Sequence, residues 1–306
     1  REVLGFSVEN ATLTTDAPVH DVSSSARLSR SKMPVDVKAV VAEFLAMAMF
    51  VVVGCGTAVT NGAFDAASRL MVAFAFGMGI LVLAYAFAPH SGAQINCAVT
   101  LALVLGGALP PAQGAANFVG QTLGSVVGAI VLCAMVPCSE DVTGNLGANV
   151  VNVQYGNTHA LAAEIFGTFL LCLVVFETAV SEKAIAGNVA PLAIGFAVFL
   201  AHVILLPIDG CSINPTRSFG PAIVSNFRDC QSFSPGGLRD FWVMVAGPCA
   251  GAALAAAVKS YFSSTSGESS GDDDDDDYEQ GAKELVEAAP VTKDKADDDD
   301  DEEAGV

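Results

Sequence analysis

The sequence predicts an all-α membrane protein with six transmembrane helices and two re-entrant half-helices in an inverted repeat. No Asp, Glu, Lys or Arg occurs between Leu70 and Ser139, and a soluble domain of ordinary size does not tolerate such a stretch. Six apolar stretches reach the roughly 20 residues that a helix needs to cross a bilayer. The two halves of the chain also repeat one pattern of apolar stretches and polar signals.

The six apolar stretches are separated by turn-forming residues, among them Asn61-Gly62 and Pro110-Pro111. They cover about residues 39–60, 68–88, 112–136, 160–180, 188–208 and 240–262. Two further stretches begin at Asn96 and Asn214, and at about 10 to 12 residues each they are too short to span. Non-helical backbone at membrane depth persists only where it is buried in protein or lines a cavity, so two such segments predict a pore.

The repeat is visible in the polar residues that open each half. Glu43, near the start of the first span, precedes Asn96 by 53 residues, and Glu164, near the start of the fourth, precedes Asn214 by 50. Each half therefore has three spans with a short Asn-initiated helix between the second and the third. Because three is odd, the second half enters the membrane from the opposite side, and the half-helices approach the midplane from opposite faces.

The net charge of −19 is concentrated in a tail. Residues 263–306 contain 18 acidic residues and 3 lysines, a composition that predicts disorder. This tail is either a solubilising segment or a binding site for a basic partner or cations. Residues 1–35 are polar and Ser-rich and predict a flexible N-terminal tail, which leaves a membrane domain of residues 36–262 with repeats at about 38–136 and 159–262. We expect no nucleic-acid binding from so acidic a chain.

Positive charges near the spans favour one orientation. Six lie on the side of the chain termini and three on the other: Arg27, Arg30, Lys32, Lys38, Lys183 and Lys259 against Arg69, Arg228 and Arg239. This difference predicts that both termini are cytoplasmic, and it leaves open which membrane the protein occupies.

Eight cysteines are present, and most lie in apolar runs. Only Cys138 and Cys230 fall in polar connecting segments, where a disulfide between them is an open alternative. No Cys or His spacing suggests a metal site. Because no nucleophile–base pair or phosphate-binding loop is apparent either, we expect neither enzymatic activity nor a cofactor.

The two Asn residues that start the half-helices carry the predicted chemistry. Asn is a favoured N-cap, and its side-chain NH₂ can point into a pore while its oxygen caps the helix. Pro215 follows Asn214 at the first helical position, where its missing N–H costs nothing. A solute at the midplane therefore meets two amide donors and the positive ends of two helix dipoles, which repel H₃O⁺ and other cations.

Residues 91–100, SGAQINCAVT, and 210–222, GCSINPTRSFGPA, resemble the two signature loops of the aquaporin (major intrinsic protein) family. The resemblance covers roughly residues 36–262. Both loops depart from the family's Asn-Pro-Ala, since Cys97 replaces the first Pro and Thr216 replaces the second Ala. The family forms homotetramers in which each protomer has its own pore, so the resemblance implies a tetramer in a lipid bilayer.

Counted from the two Asn residues, the resemblance places the family's selectivity constriction at four positions: Phe76, His202, Cys211 and Arg217. These residues are similar to the set of water-selective members. Phe76 would narrow the opening and Arg217 would supply fixed donors and a permanent charge. Glycerol pores of this family usually have a small residue in place of the His and an Asp after the Arg; the residues here are His202 and Ser218, so water is favoured.

Other polar residues receive supporting roles from the resemblance. Glu43 and Glu164 are expensive in lipid and are expected to brace the backbone of the re-entrant loops. Apart from the resemblance, His90 and Ser91 in the first loop are candidates for a pH- or phosphorylation-dependent gate, with ordinary loop residues as the alternative.

The sequence therefore predicts a passive water channel that excludes protons and ions. Within the same class, a channel that also passes hydrogen peroxide, ammonia or small polyols remains open. A secondary transporter would share the inverted repeat, but the only acids well inside the spans are Glu43, Glu164 and Glu177, which form no evident coupling-ion cluster. A poorly conducting structural member, narrowed by Cys97, is the third alternative.

Overall fold

The computed structural model describes residues 35–63, 65–181, 184–228 and 236–265. The predicted tails lie almost wholly outside these ranges. Within them the regular elements are all helical, and the nine α-helices are α1 Val37–Asn61, α2 Ala66–Ser91, α3 Cys97–Leu105, α4 Pro111–Met135, α5 Gly156–Val175, α6 Ala190–Asp209, α7 Pro215–Phe227, α8 Gly236–Arg239 and α9 Val243–Thr265. A π-helical turn, Phe176–Val180, extends α5.

The prediction of six spans and two half-helices is confirmed. Within the described residues, six helices are long and apolar enough to cross a membrane, and they coincide with the predicted stretches to within about four residues at each end. The largest shift is at Gly156, which starts the fourth span four residues before its predicted start. The half-helices α3 and α7 have 9 and 13 residues.

Polar residues define the ends of the long helices. Asp36 caps α1 by accepting from the backbone N–H of Lys38 at 2.8 Å. Asp65 forms a capping box with Ser68 at the start of α2, and the hydrogen bond from the Ser68 N–H lowers the pKa of the Asp65 carboxyl. At their other ends, α2 and α6 stop at Gly92 and Gly210, both with left-handed backbone, and there the chain turns into the re-entrant loops.

Helix packing follows the inverted repeat. The most extensive interfaces are α1 with α4, α5 with α9, and α2 with α6. The first two are equivalent in the two halves, whereas the third joins the halves to each other across the pseudo-twofold axis. A Cβ added to Gly77 of α2 would lie 2.8 Å from the Gly195 carbonyl of α6, and a Cβ added to Gly195 would lie 2.8 Å from the Gly77 carbonyl. Helix contacts at such short range require small residues.

The α1–α4 interface is equally close. Gly120, Gly124 and Gly128 lie one turn apart on α4 and face the carbonyl oxygens of Val40, Phe44 and Ala48 on α1. On the equivalent α5–α9 interface, a Cβ added to Gly251 would lie 2.5 Å from the Ile165 carbonyl. These glycines bring α1 and α5, which carry Glu43 and Glu164, close to the centre of the bundle.

We expect Gly124→Ala to destabilise the protein, because the new methyl group collides with the Phe44 carbonyl. The free energy of unfolding in detergent should fall by about 1–3 kcal/mol, the usual cost of overpacking. Gly56→Ala is the matched control, since its methyl group meets only a Leu132 side chain at an ordinary 3.4 Å. Equal stability of the two variants would show that α1 and α4 do not need this close approach.

Candidate functional site

The N-termini of the two half-helices meet at the centre of the bundle. Asn96 caps α3, and its Oδ1 accepts from the backbone N–H groups of Ala98 at 2.8 Å and Val99 at 3.4 Å. Asn214 caps α7, and its Oδ1 accepts from the Arg217 N–H at 3.1 Å. Both Asn side chains are buried.

Each Asn amide also bonds to the opposite half of the protein. Asn96 Nδ2 donates to the Ile213 carbonyl at 2.8 Å, and Asn214 Nδ2 donates to the Ile95 carbonyl at 2.7 Å. These reciprocal bonds restrict the orientation of both amides. A side-chain amide has two N–H groups, so each Asn keeps one donor beyond the cross-bond.

The loops that lead into the half-helices have an unusual backbone. Four of their residues other than glycine have positive φ angles: Ala93, Ile95, Cys211 and Ile213. Left-handed backbone costs of order 1–3 kcal/mol at such residues, so the surrounding structure must hold it in place.

Two fully buried carboxylates hold these loops. Glu43 accepts from the backbone N–H groups of Gln94 at 2.9 Å and Ile95 at 2.7 Å. Glu164 accepts in the same way from the N–H groups of residues 212 and 213, at 2.6 and 2.7 Å. Each carboxylate therefore pairs two N–H groups that the non-helical backbone leaves without partners.

Side chains around each carboxylate complete the arrangement. In the first repeat, Ser91 Oγ donates to Glu43 at 2.6 Å, and Gln121 Nε2 donates to it at 2.7 Å. In the second repeat, Asp209 stands where Ser91 stands in the first, five residues before the Asn, and it accepts from the Cys211 N–H at 2.9 Å. Neither Gln121 nor Asp209 is predicted by the sequence patterns above, although Asp209 lies as far before Asn214 as Ser91 lies before Asn96.

Among the four predicted constriction residues, Phe76 contacts both His202 and Arg217. The rings of Phe76 and His202 stack with centroids 4.4 Å apart, and the Arg217 guanidinium lies 4.8 Å from the centroid of the Phe76 ring. All three side chains are buried. Cys211 is also fully buried, on the loop that ends at Asn214. Because the two rings are in van der Waals contact, no solute passes between them, and a pore at this level must run along their edge.

The segment between α4 and α5 holds the Arg217 side chain. Arg217 Nη1 donates to the Gly147 carbonyl at 3.0 Å and to Asn149 Oδ1 at 2.6 Å. Ser218 donates to the same Asn149 oxygen at 2.7 Å. Asn149 was not identified from the sequence, since nothing near it in the chain marks it as a partner of a residue 68 positions away.

Two buried polar atoms of the predicted constriction residues have no hydrogen-bond partner among the described residues: His202 Nε2 and Arg217 Nε. His202 Nδ1 lies 2.8 Å from the Val198 carbonyl. Because a carbonyl oxygen only accepts, Nδ1 carries the hydrogen of the neutral ring and Nε2 is an acceptor. The constriction thus presents one buried acceptor and one buried donor.

A cavity of about 500 Å³ extends from His202 past both Asn residues to Pro89 and Gly187. Its polar lining includes Asn96, Asn214 and backbone of the re-entrant loops. The rest is mostly apolar, with Ile80, Leu171, Val175, Ile194 and Val198 among its residues. Such a lining offers few competing partners to a polar solute.

The remaining predicted positions lie outside the centre. His90 is exposed at the end of α2, whereas Ser91 is engaged with Glu43 and also accepts from the Ala93 N–H at 3.0 Å. Cys138 forms a disulfide, and Cys230 lies outside the described residues. In the part of the chain that the structure describes, no three His, Cys, Asp or Glu residues come together as a metal site.

Comparisons with known proteins agree with this architecture. The family model of the major intrinsic proteins matches residues 29–259. Aquaporin-5 of Homo sapiens is 38% identical over 224 residues, which make up 73% of this chain and 80% of that protein. The probable aquaporin PIP2-7 of Oryza sativa subsp. japonica is 35% identical over 269 residues, 84% of this chain and 90% of that protein.

A solved structure shows the same fold. The X-ray structure of the aquaglyceroporin from Plasmodium falciparum matches with a TM-score of 0.64 at 20% identity, and the match covers 72% of this chain and 94% of that one.

We expect Glu43→Gln to destabilise the first re-entrant loop, because the amide cannot accept from both N–H groups. The free energy of unfolding should fall by about 1–3 kcal/mol, the cost of a buried N–H without a partner. Glu177→Gln, at an exposed carboxylate, is the matched control and should stay within about 0.5 kcal/mol of the unmodified protein. Unfolding in detergent can be followed through the single tryptophan. If both variants unfold alike, the Glu43 carboxylate is not what holds the loop.

Proposed function

This chain belongs to the major intrinsic protein family, whose members are membrane channels and not enzymes, and we propose that it is a water-selective channel. It lies in the membrane as a multi-pass protein. We further propose that it forms a homotetramer with one pore in each protomer and has both termini in the cytoplasm.

The geometry of the constriction is the observation that supports water. Because Phe76 stacks on His202, a permeant has to pass beside the rings, where the unpartnered His202 Nε2 is an acceptor and the unpartnered Arg217 Nε is a donor. Water offers a donor and an acceptor within a single small molecule, so it can satisfy both atoms as it passes. A solute with a carbon skeleton has to fit its apolar atoms into the same narrow place, where they would leave these polar atoms without partners.

The polar groups at the midplane support the proposal that ions and protons are excluded. The free amide hydrogens of Asn96 and Asn214 and the positive ends of α3 and α7 face a permeating molecule from both sides. A water molecule there turns its oxygen toward the two amides. This orientation interrupts the continuous chain of hydrogen-bonded water molecules that a proton would need to cross. The permanent charge of Arg217 adds a second barrier to cations.

The competing permeants are less well supported. The names of the relatives above favour a water channel, whereas the similarity to the aquaglyceroporin, at 20% identity, shows the fold alone. Hydrogen peroxide and ammonia are small enough to remain alternatives. For a coupled transporter, the acids Glu43 and Glu164 are poorly suited, because both are already committed to the backbone of the loops.

We expect proteoliposomes that contain this protein to shrink rapidly, and with low activation energy, in a sucrose gradient. In a glycerol gradient they should not re-swell faster than empty liposomes, because the constriction excludes carbon-bearing solutes. Stopped-flow light scattering measures both rates, and Phe76→Ala, which opens the constriction, serves as a positive control for glycerol. Absent water flux from protein shown to be folded would contradict the proposal and favour a structural role; glycerol flux would reassign the substrate.

We expect His202→Ala to admit glycerol, since it removes the ring that Phe76 stacks on and widens the passage. Glycerol permeability should rise roughly tenfold, a typical effect of enlarging a selective pocket. His159→Ala, at an exposed histidine of α5, should leave glycerol excluded. Unchanged glycerol exclusion in a folded His202→Ala protein would place the selectivity constriction elsewhere.

A further inference from the structure

The two half-helices differ in sequence at their first two helical positions. At the first helical position, α3 has Cys97 and α7 has Pro215; at the second, α3 has Ala98 and α7 has Thr216. The pseudo-twofold axis relates the first position of one half-helix to the first position of the other. Because Cys97 contacts Thr216, the axis predicts the equivalent placement of Pro215 opposite Ala98.

The Cys97–Thr216 side is joined by a hydrogen bond. The Cys97 backbone N–H donates to Thr216 Oγ1 at 3.3 Å, and the Thr216 hydroxyl donates to Asn214 Oδ1 at 2.7 Å. Thr216 is 1% exposed, so water does not compete for these bonds. The N–H of one half-helix is thus linked through a hydroxyl to the amide of the opposite one.

We propose that Cys97 and Thr216 form a coupled pair in which Thr216 is a positioning residue for the pore amide of Asn214. The backbone N–H of Cys97, which a proline would lack, provides the donor, and the threonine hydroxyl provides the acceptor. Each residue is adapted to the other, and the pair acts on permeation only if the proposed water pore is correct.

Steric contact between positions 97 and 216 requires the two residues to change together. In a proline, Cδ replaces the N–H hydrogen at about 1.45 Å from the nitrogen. At position 97 it would come within roughly 2 to 2.5 Å of Thr216 Oγ1, far closer than the roughly 3.3 Å of a C–H···O contact. Proline at the first position is therefore compatible with alanine at the partner's second position, as for Pro215 and Ala98, and not with threonine.

The bond from Thr216 also restricts Asn214. The Asn214 oxygen accepts from the Thr216 hydroxyl and from the Arg217 N–H, and its nitrogen donates to the Ile95 carbonyl. With the oxygen held at two points, the amide cannot rotate, and its second N–H keeps one direction. Without the hydroxyl, the Arg217 bond holds the oxygen alone, and the amide samples orientations that serve water less well.

A double-mutant cycle tests the coupling, with water permeability per folded protomer as the first readout and unfolding temperature as the second. We expect Thr216→Ala to lower unit permeability about fivefold, the factor that corresponds to the loss of one typical hydrogen bond. Cys97→Pro should lower it at least as much, or prevent folding, because of the steric clash. The double variant C97P/T216A has neither the clash nor the unpaired N–H, so it should recover most of what Cys97→Pro loses and conduct no worse than Thr216→Ala. Thr216→Ser keeps the hydroxyl and should lose much less than Thr216→Ala.

The controls separate positioning from a general loss of stability. Thr122→Ala removes a threonine hydroxyl from the outer face of α4, where it bonds only to its own helix, and should leave permeability unchanged. Additive losses in the double variant, or an equal loss in Thr216→Ser and Thr216→Ala, would overturn the proposal. A Thr216→Ala protein that unfolds earlier but conducts normally would overturn the positioning role. If the unmodified protein conducts no water, the proposed function fails, whereas coupling in the unfolding temperatures still tests the pair.

Discussion

At the midplane of a bilayer no water is available to an unpaired N–H group, so non-helical backbone there needs partners from the protein itself. In this chain, the carboxylates of Glu43 and Glu164 meet that need at residues 94–95 and 212–213. Once these four N–H groups are paired, the strained loops can end at two helix N-termini inside the membrane. The donors that face a solute exist only because the backbone before them is held in this way.

The glycine contacts follow from the same requirement. A glutamate side chain reaches only a few ångströms, so α1 and α5 must approach the loops closely before Glu43 and Glu164 can bond to them. The glycines of α4 and α9 permit this approach by removing the side chains that would keep the helices apart. Helix packing and polar chemistry are therefore parts of one arrangement, repeated twice with opposite orientation.

Most of the scaffold could be predicted from the sequence, because it depends on local signals. Apolar length identified the spans, and Asn96 and Asn214 identified the half-helices by their helix-starting chemistry. Contacts between distant segments were less accessible. Asn149 reaches Arg217 across 68 positions from an irregular segment, and Cys97 meets Thr216 across 119. Such pairs depend on how the two halves dock, which no periodicity or motif within one half encodes.

The inverted repeat makes the two ends of the pore comparable residue by residue, and they differ sharply. Each proposed constriction residue has an equivalent in the other half, at the same number of positions from that half's Asn. The equivalents of Phe76, His202, Cys211 and Arg217 are Ile194, Ala84, Ala93 and Val99. All four of these residues line the 500 Å³ cavity. The pseudo-twofold axis thus maps the proposed constriction, with its charged Arg217, onto a mostly apolar chamber.

This asymmetry has a physical rationale. If Phe76, His202 and Arg217 select the permeant as proposed, a second set of such residues would add another step at which the permeant exchanges hydrogen-bond partners. It would slow passage without improving a selection already made once. An apolar chamber offers few partners, so a molecule that has cleared the constriction is retained only by the two central amides. The backbone scaffold is therefore symmetric where it must hold strained loops in the membrane, and the side chains are asymmetric where one selective barrier is enough.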